Sequence, residues 1–157
     1  MSMSSKKLHV LINSLENHIN QYEVANSKIS KATVGWHIDH SCKVINQVII
    51  TLQSSDPTLY KNDFSFMGKL FFTLGFFPRG KAKAPKNVKP PETIIKGDLV
   101  NQLQLARTNI DAIPNLDKNA FFKHPFFGDV NKKRIYRFLE LHTHHHVKII
   151  CDILKKK

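Results

Sequence analysis

The sequence predicts an all-α fold, a four-helix bundle forming one domain over residues 1–157. Two observations carry that reading. Apolar residues recur at three- and four-residue steps in four separate segments, and strand-like alternation of apolar and polar residues is absent. A third observation sets the connectivity. The link between the second and third segments, about residues 56–91, is too long for a turn and implies a crossover or a lid.

The first segment repeats Leu8, Leu11, Ile12, Leu15, Ile19 and Tyr22. The second opens at Ser30, whose hydroxyl suits a helix N-cap, and carries Val34, Ile38, Ile45, Val48, Ile49 and Leu52 before stopping at "SSDP". The crossover then holds a short apolar helix, Phe64–Phe77, and a basic, proline-rich loop. The third segment follows "KPPET", shows Ile95, Leu99, Leu103, Ala106, Ile110 and Ile113, and ends at Pro114. The fourth begins after "HPFFGDVN" and repeats Ile135, Phe138, Leu139, His142, His146, Ile149 and Ile153.

A chain of 157 residues that is 41% hydrophobic can bury a proper core, which argues against disorder. No apolar run reaches the roughly 18 residues a membrane span needs. The start, "MSMSSKKLHVLINSLENH", lacks an apolar region followed by a cleavage site. The expectation is a cytoplasmic protein without a membrane partner. Cys42 and Cys151 form no metal or redox motif and are assigned to helix faces.

Twenty-four Lys and Arg against twelve Asp and Glu give a net charge of +12, which favours an anionic partner. Much of the excess lies in "PRGKAKAPKNVKPP", where Arg79, Lys81, Lys83, Lys86 and Lys89 meet no acid. Nucleic-acid binding calls for a recognisable motif or aromatics interleaved with the basic residues, and the loop has neither. It reads instead as solubilising, or as attracting a small acidic substrate.

The stretch "LELHTHHHVKII" sets four histidines into five helical positions. At roughly 100° per residue, His142 and His146 fall mid-stripe, His145 at its edge and His144 nearly opposite. Two histidines four apart stand one turn above each other, with Cβ atoms roughly 5–6 Å apart. Buried imidazoles need partners, and one cation satisfies both. The facing helix offers "TVGWHIDHS". His37 lies roughly 60° from the centre of that helix's stripe and His40 roughly 120°. His37 is therefore the expected third ligand, with His40 on the rim or in solvent. His9 and His18 lie beside the first helix's stripe. Three imidazoles, His37, His142 and His146, leave a coordination position open for water or substrate, as in catalytic sites. No residue stands out as a separate general base; His40, His124 and His145 are the candidates.

"SKATVGWHIDHS" resembles the second-helix motif of the DinB/YfiT-like superfamily, a ligand histidine, an apolar residue and, three further on, a small residue. His37, Ile38 and Ser41 take those places. "HTHHHVKII" resembles the last-helix motif, with His142, His145, His146 and Ile150 in place and the ligands on His142 and His146. "HPFFGDVNKKRIYRF" and "FFPRGKAKAPKNVKP" further resemble an uncharacterised DinB-like family, so the likeness covers nearly the whole chain. It implies a four-helix bundle holding a divalent ion, zinc or nickel, between helices. It also implies S-transferase or isomerase chemistry with bacillithiol, mycothiol or glutathione, or a metal-dependent hydrolase. The chain departs from the pattern at Lys148 and Ile149, where glycine and glutamine are common. The expected function is thus a metal-dependent enzyme that activates a thiol or a water for a small-molecule substrate. Arg79, Lys81 and Lys83 would attract an acidic cosubstrate. The alternative is a non-catalytic, stress-related metal or anion binder, and a homodimer is left open.

Overall fold

The computed structural model describes residues 3–80 and 84–155. Among them five helices and one hairpin follow in order: α1 (Met3–Asn17), α2 (Val34–Ser54), α3 (Phe66–Leu74), α4 (Lys96–Ala112), β1 (Phe121–His124), β2 (Gly128–Asn131) and α5 (Lys132–Leu154). The four long helices form the bundle. α2 packs on α4 and α5, and α1 packs on the same two. The predicted stripes meet in its centre: Leu8, Ile12 and Leu15 from α1, Ile38, Ile45 and Ile49 from α2, Leu99, Leu103 and Ile110 from α4, Ile135 and Leu139 from α5. Removing each such side chain from water contributes roughly 1.5–3 kcal/mol.

α2 is the most enclosed helix. Its cap is Thr33, whose Oγ1 accepts from the Trp36 backbone N–H at 3.2 Å, and not Ser30 as the sequence suggested. Around its first two turns Val34, His37, Ile38, Asp39, His40, Ser41 and Cys42 are all buried. The cause is a third neighbour: besides α4 and α5, the crossover's turn at Lys86–Val88 packs on α2. Deeper along the α2–α4 contact, Asn109 Nδ2 donates to Asn46 Oδ1 at 2.9 Å, and Asn46 Nδ2 donates to Gln102 Oε1 at 2.8 Å. Slipping either helix would strand these buried amides, so the network holds the register. Cys42 fills the core as expected, whereas Cys151 is exposed.

The short crossover helix is present as α3. Ser65 Oγ accepts from the Gly68 N–H at its start, and Gly75, at φ 76°, closes it with a hydrogen bond to the Phe71 carbonyl. Its apolar face turns largely outward, with Phe66 76% exposed. The hairpin was not expected. β1 and β2 pair antiparallel, with Phe122 opposite Val130. Four residues per strand are too few for alternation to register, and the hairpin is held by Phe122 and Phe127 against Phe138 and by Val130 in the core rather than by strand propensity. Gly128, at φ 74°, lets the hairpin approach the crossover: an added Cβ would stand 2.6 Å from the Asp63 carbonyl. No described helix is long and apolar enough to cross a membrane.

Candidate metal centre

Where α2 faces α5, three imidazoles converge. His40, His142 and His146 each offer a ring nitrogen, and these nitrogens lie within 4.8 Å of one another. Ring centroids are 5.1 Å apart for His40–His142, 4.9 Å for His40–His146 and 4.7 Å for His142–His146. His142 and His146 owe this to helical periodicity, being one turn apart on the α5 face that packs against α2. His40 reaches the group because the crossover closes over α2.

Hydrogen bonds on the outer nitrogens determine what the inner ones present. His40 Nδ1 lies 2.8 Å from the Val88 carbonyl. A carbonyl only accepts, so Nδ1 carries the proton and Nε2 keeps its lone pair. His146 Nδ1 lies 2.9 Å from His37 Nδ1, and His37 Nε2 lies 3.0 Å from Ser30 Oγ. With His146 donating to His37 and His37 donating to Ser30, every contact is satisfied and His146 Nε2 is free to ligate. Ser30, which the sequence suggested as a cap, instead ends this chain and accepts the Ala32 N–H at 3.1 Å. Metal-binding histidines are commonly oriented in this way by an outer acceptor.

His142 has no such acceptor. It is half-buried, and its Nδ1 is buried without a hydrogen bond. A polar nitrogen left so costs about 1–3 kcal/mol, and coordination to a cation removes that cost. Burial also holds these rings neutral, the form a ligand needs. It pushes His142 and His146 well below the ordinary imidazole value, with neighbouring histidines adding to the effect. His40 is lowered by burial too, the Val88 carbonyl opposing. His37 is brought to about 4 by burial first, then by the charges of His40, His145 and Arg79. The donor set therefore fits a divalent ion of intermediate softness.

The group that converges takes His40 where the sequence reading took His37. His37 is buried but stands behind His146 as its hydrogen-bonded neighbour. α2 buries more than one stripe, because the turn at Lys86–Val88 covers the flank carrying His40. Trp36 also escaped notice. It stacks on His40 at 5.0 Å and meets His37 edge-on at 5.2 Å, walling the site. The other candidates scatter. His124 stacks on Phe127 at 4.1 Å in the hairpin, with its Nδ1 accepting from the Phe126 N–H. His145 touches His146 edge-on at 5.0 Å and is hydrogen-bonded to the Phe77 backbone. His9 pairs with Asp111 at 2.9 Å, far along the chain. Arg79 is held by Asp152 at 2.8 Å, while Lys81 and Lys83 lie outside the described residues.

No family model, curated protein or solved structure matches the chain.

Proposed function

We propose that the chain is a divalent-metal-dependent enzyme of the DinB/YfiT-like kind, with zinc or nickel held by His40, His142 and His146. One observation supports this most: three neutral imidazoles converge, two of them with outer nitrogens tied to an acceptor that leaves the inner one free. The last-helix motif around His142–His146 supports the family reading, whereas the second-helix motif has its ligand at His37 and this site takes His40 instead. Three protein ligands leave a position for a water or a low-molecular-weight thiol, and a bound ion would lower its pKa and polarise a carbonyl. The chain's own residues then have separate tasks. Val88 and His37 orient His40 and His146, Trp36 and Phe138 keep one side of the site dry, and the half-buried edge of His142 gives access.

The test has two readouts. Metal-free protein titrated with zinc and with nickel should take up one ion per chain. Loaded protein should then transfer glutathione to an electrophilic aryl chloride, or hydrolyse an activated ester, at a rate lost in His40→Ala. Tight uptake without turnover on either substrate class would favour the alternative, a metal-binding protein. Failure to bind either ion would reject the reading.

A further inference from the structure

The C-terminal end of α3 and its following loop stand against α5 across a cavity of about 350 Å³. That is the small end of the range for ligand pockets. Its walls divide by chemistry. Phe77 and Leu141 give an apolar side, while Arg79, Lys148, His144 and His145 give a side rich in cationic and hydrogen-bonding groups. A second cavity, about 240 Å³ between α2 and α4, is different: Asp39 and Asp98 line it with Lys43, and no histidine does.

Three features make the first cavity a site rather than a dent. No acid lines it. Lys148 forms no ion pair among the described residues, and Arg79 spends only one terminal nitrogen on Asp152, leaving other guanidinium donors. The cavity also adjoins the histidine group, because His145 lines it and touches His146 at 5.0 Å. We infer that this cavity binds a small organic anion with an apolar body, the acid group between Arg79 and Lys148 and the body against Phe77 and Leu141. That it is a substrate's pocket rests on the metal reading above; what it binds rests on its own walls. Any carboxylate, sulfonate or phosphate would meet the same cations, and an ammonium compound would be repelled.

The experiment uses 1-naphthoate and its neutral isostere 1-naphthamide on the full chain, titrated calorimetrically with a chelator present so that no ion can hold the anion. Naphthoate should bind at least tenfold more tightly than naphthamide. Arg79→Gln/Lys148→Gln should weaken naphthoate about tenfold and leave naphthamide unchanged, with circular dichroism confirming the fold. Raising salt should weaken naphthoate alone. Lys6→Gln/Lys118→Gln, equal in charge change, exposed and outside these walls, should have no such effect. The inference is overturned if the two probes bind alike, if neither binds, or if the remote pair weakens naphthoate as much. Zinc binding by the Arg79→Gln/Lys148→Gln protein should match wild type. Discrimination between the probes in a chain that takes up no zinc would keep the cavity and reject the metal centre, and the converse result would do the reverse.

Discussion

His124 should make the protein acid-labile in a way one substitution can expose. Its ring lies flat on Phe127 and edge-on to Phe138 at 5.4 Å, and burial lowers its pKa from 6.5 to about 4. Between those values the unfolded chain binds the proton more readily than the folded one, so stability rises with pH in that window. The contribution is intact above pH 6.5, falls as pH drops, and is fully lost below about 4. At 1.36 kcal/mol per pH unit the whole loss is roughly 3 kcal/mol, of which about 2 is gone by pH 5. His124→Phe keeps both ring contacts and takes up no proton. It forfeits the Phe126 N–H bond to Nδ1, worth about 1 kcal/mol at both pH 7.5 and pH 5, where the folded ring is neutral. The variant should therefore be about 1 kcal/mol less stable than wild type at pH 7.5 and about 1 kcal/mol more stable at pH 5. Urea unfolding followed by circular dichroism, in chelator, measures both, and the buried histidines that do not interact with His124 cancel in the difference, His142 being the one it also lowers. A gap that stays constant from pH 7.5 to 5 would refute the buried, neutral His124.

Three further outcomes follow from the same structure. His37→Ala removes the acceptor behind His146 and should lower metal affinity 10- to 100-fold, read by competition with a chromogenic chelator; wild-type affinity would mean His37 orients nothing. Chelation should destabilise without unfolding, since the core forms without the ion. At free metal 100 times Kd the ion adds about 2.7 kcal/mol, or roughly 5–11 °C in Tm for a domain of this size, and loss of helical signal at room temperature would contradict this. Gly128→Ala drives a methyl towards the Asp63 carbonyl at positive φ and should cost about 1–3 kcal/mol in urea unfolding; no cost would contradict that close approach.

Helical periodicity made the bundle legible. Leu8, Ile45, Leu103 and Leu139 are buried where their spacing put them, and His142 and His146 face the neighbouring helix for the same reason. What the sequence hid came from contacts between distant segments. His40 looked peripheral because nothing local announces that Val88, 48 residues on, will lie over it and accept a hydrogen bond from its Nδ1–H. Ser30 reads as a cap by residue type, yet Thr33 lies where the chain turns into α2 and Ser30 meets His37 instead. The hairpin is too short to show a period and is held by rings from α5 and the crossover. The cavity beside His145 likewise joins Arg79 to Lys148 across 69 residues of chain, although the basic loop had already suggested an acidic ligand.

The assignment of His40, and not His37, to the metal group is the central claim, and zinc stoichiometry tests it directly. Wild type, His37→Ala, His40→Ala, His142→Ala and His146→Ala would be saturated with zinc, freed of excess by gel filtration and measured by elemental analysis. The account predicts about one zinc per chain in wild type and in His37→Ala at saturation, and loss of the ion in each of the other three. Full occupancy in His40→Ala together with loss in His37→Ala would contradict it.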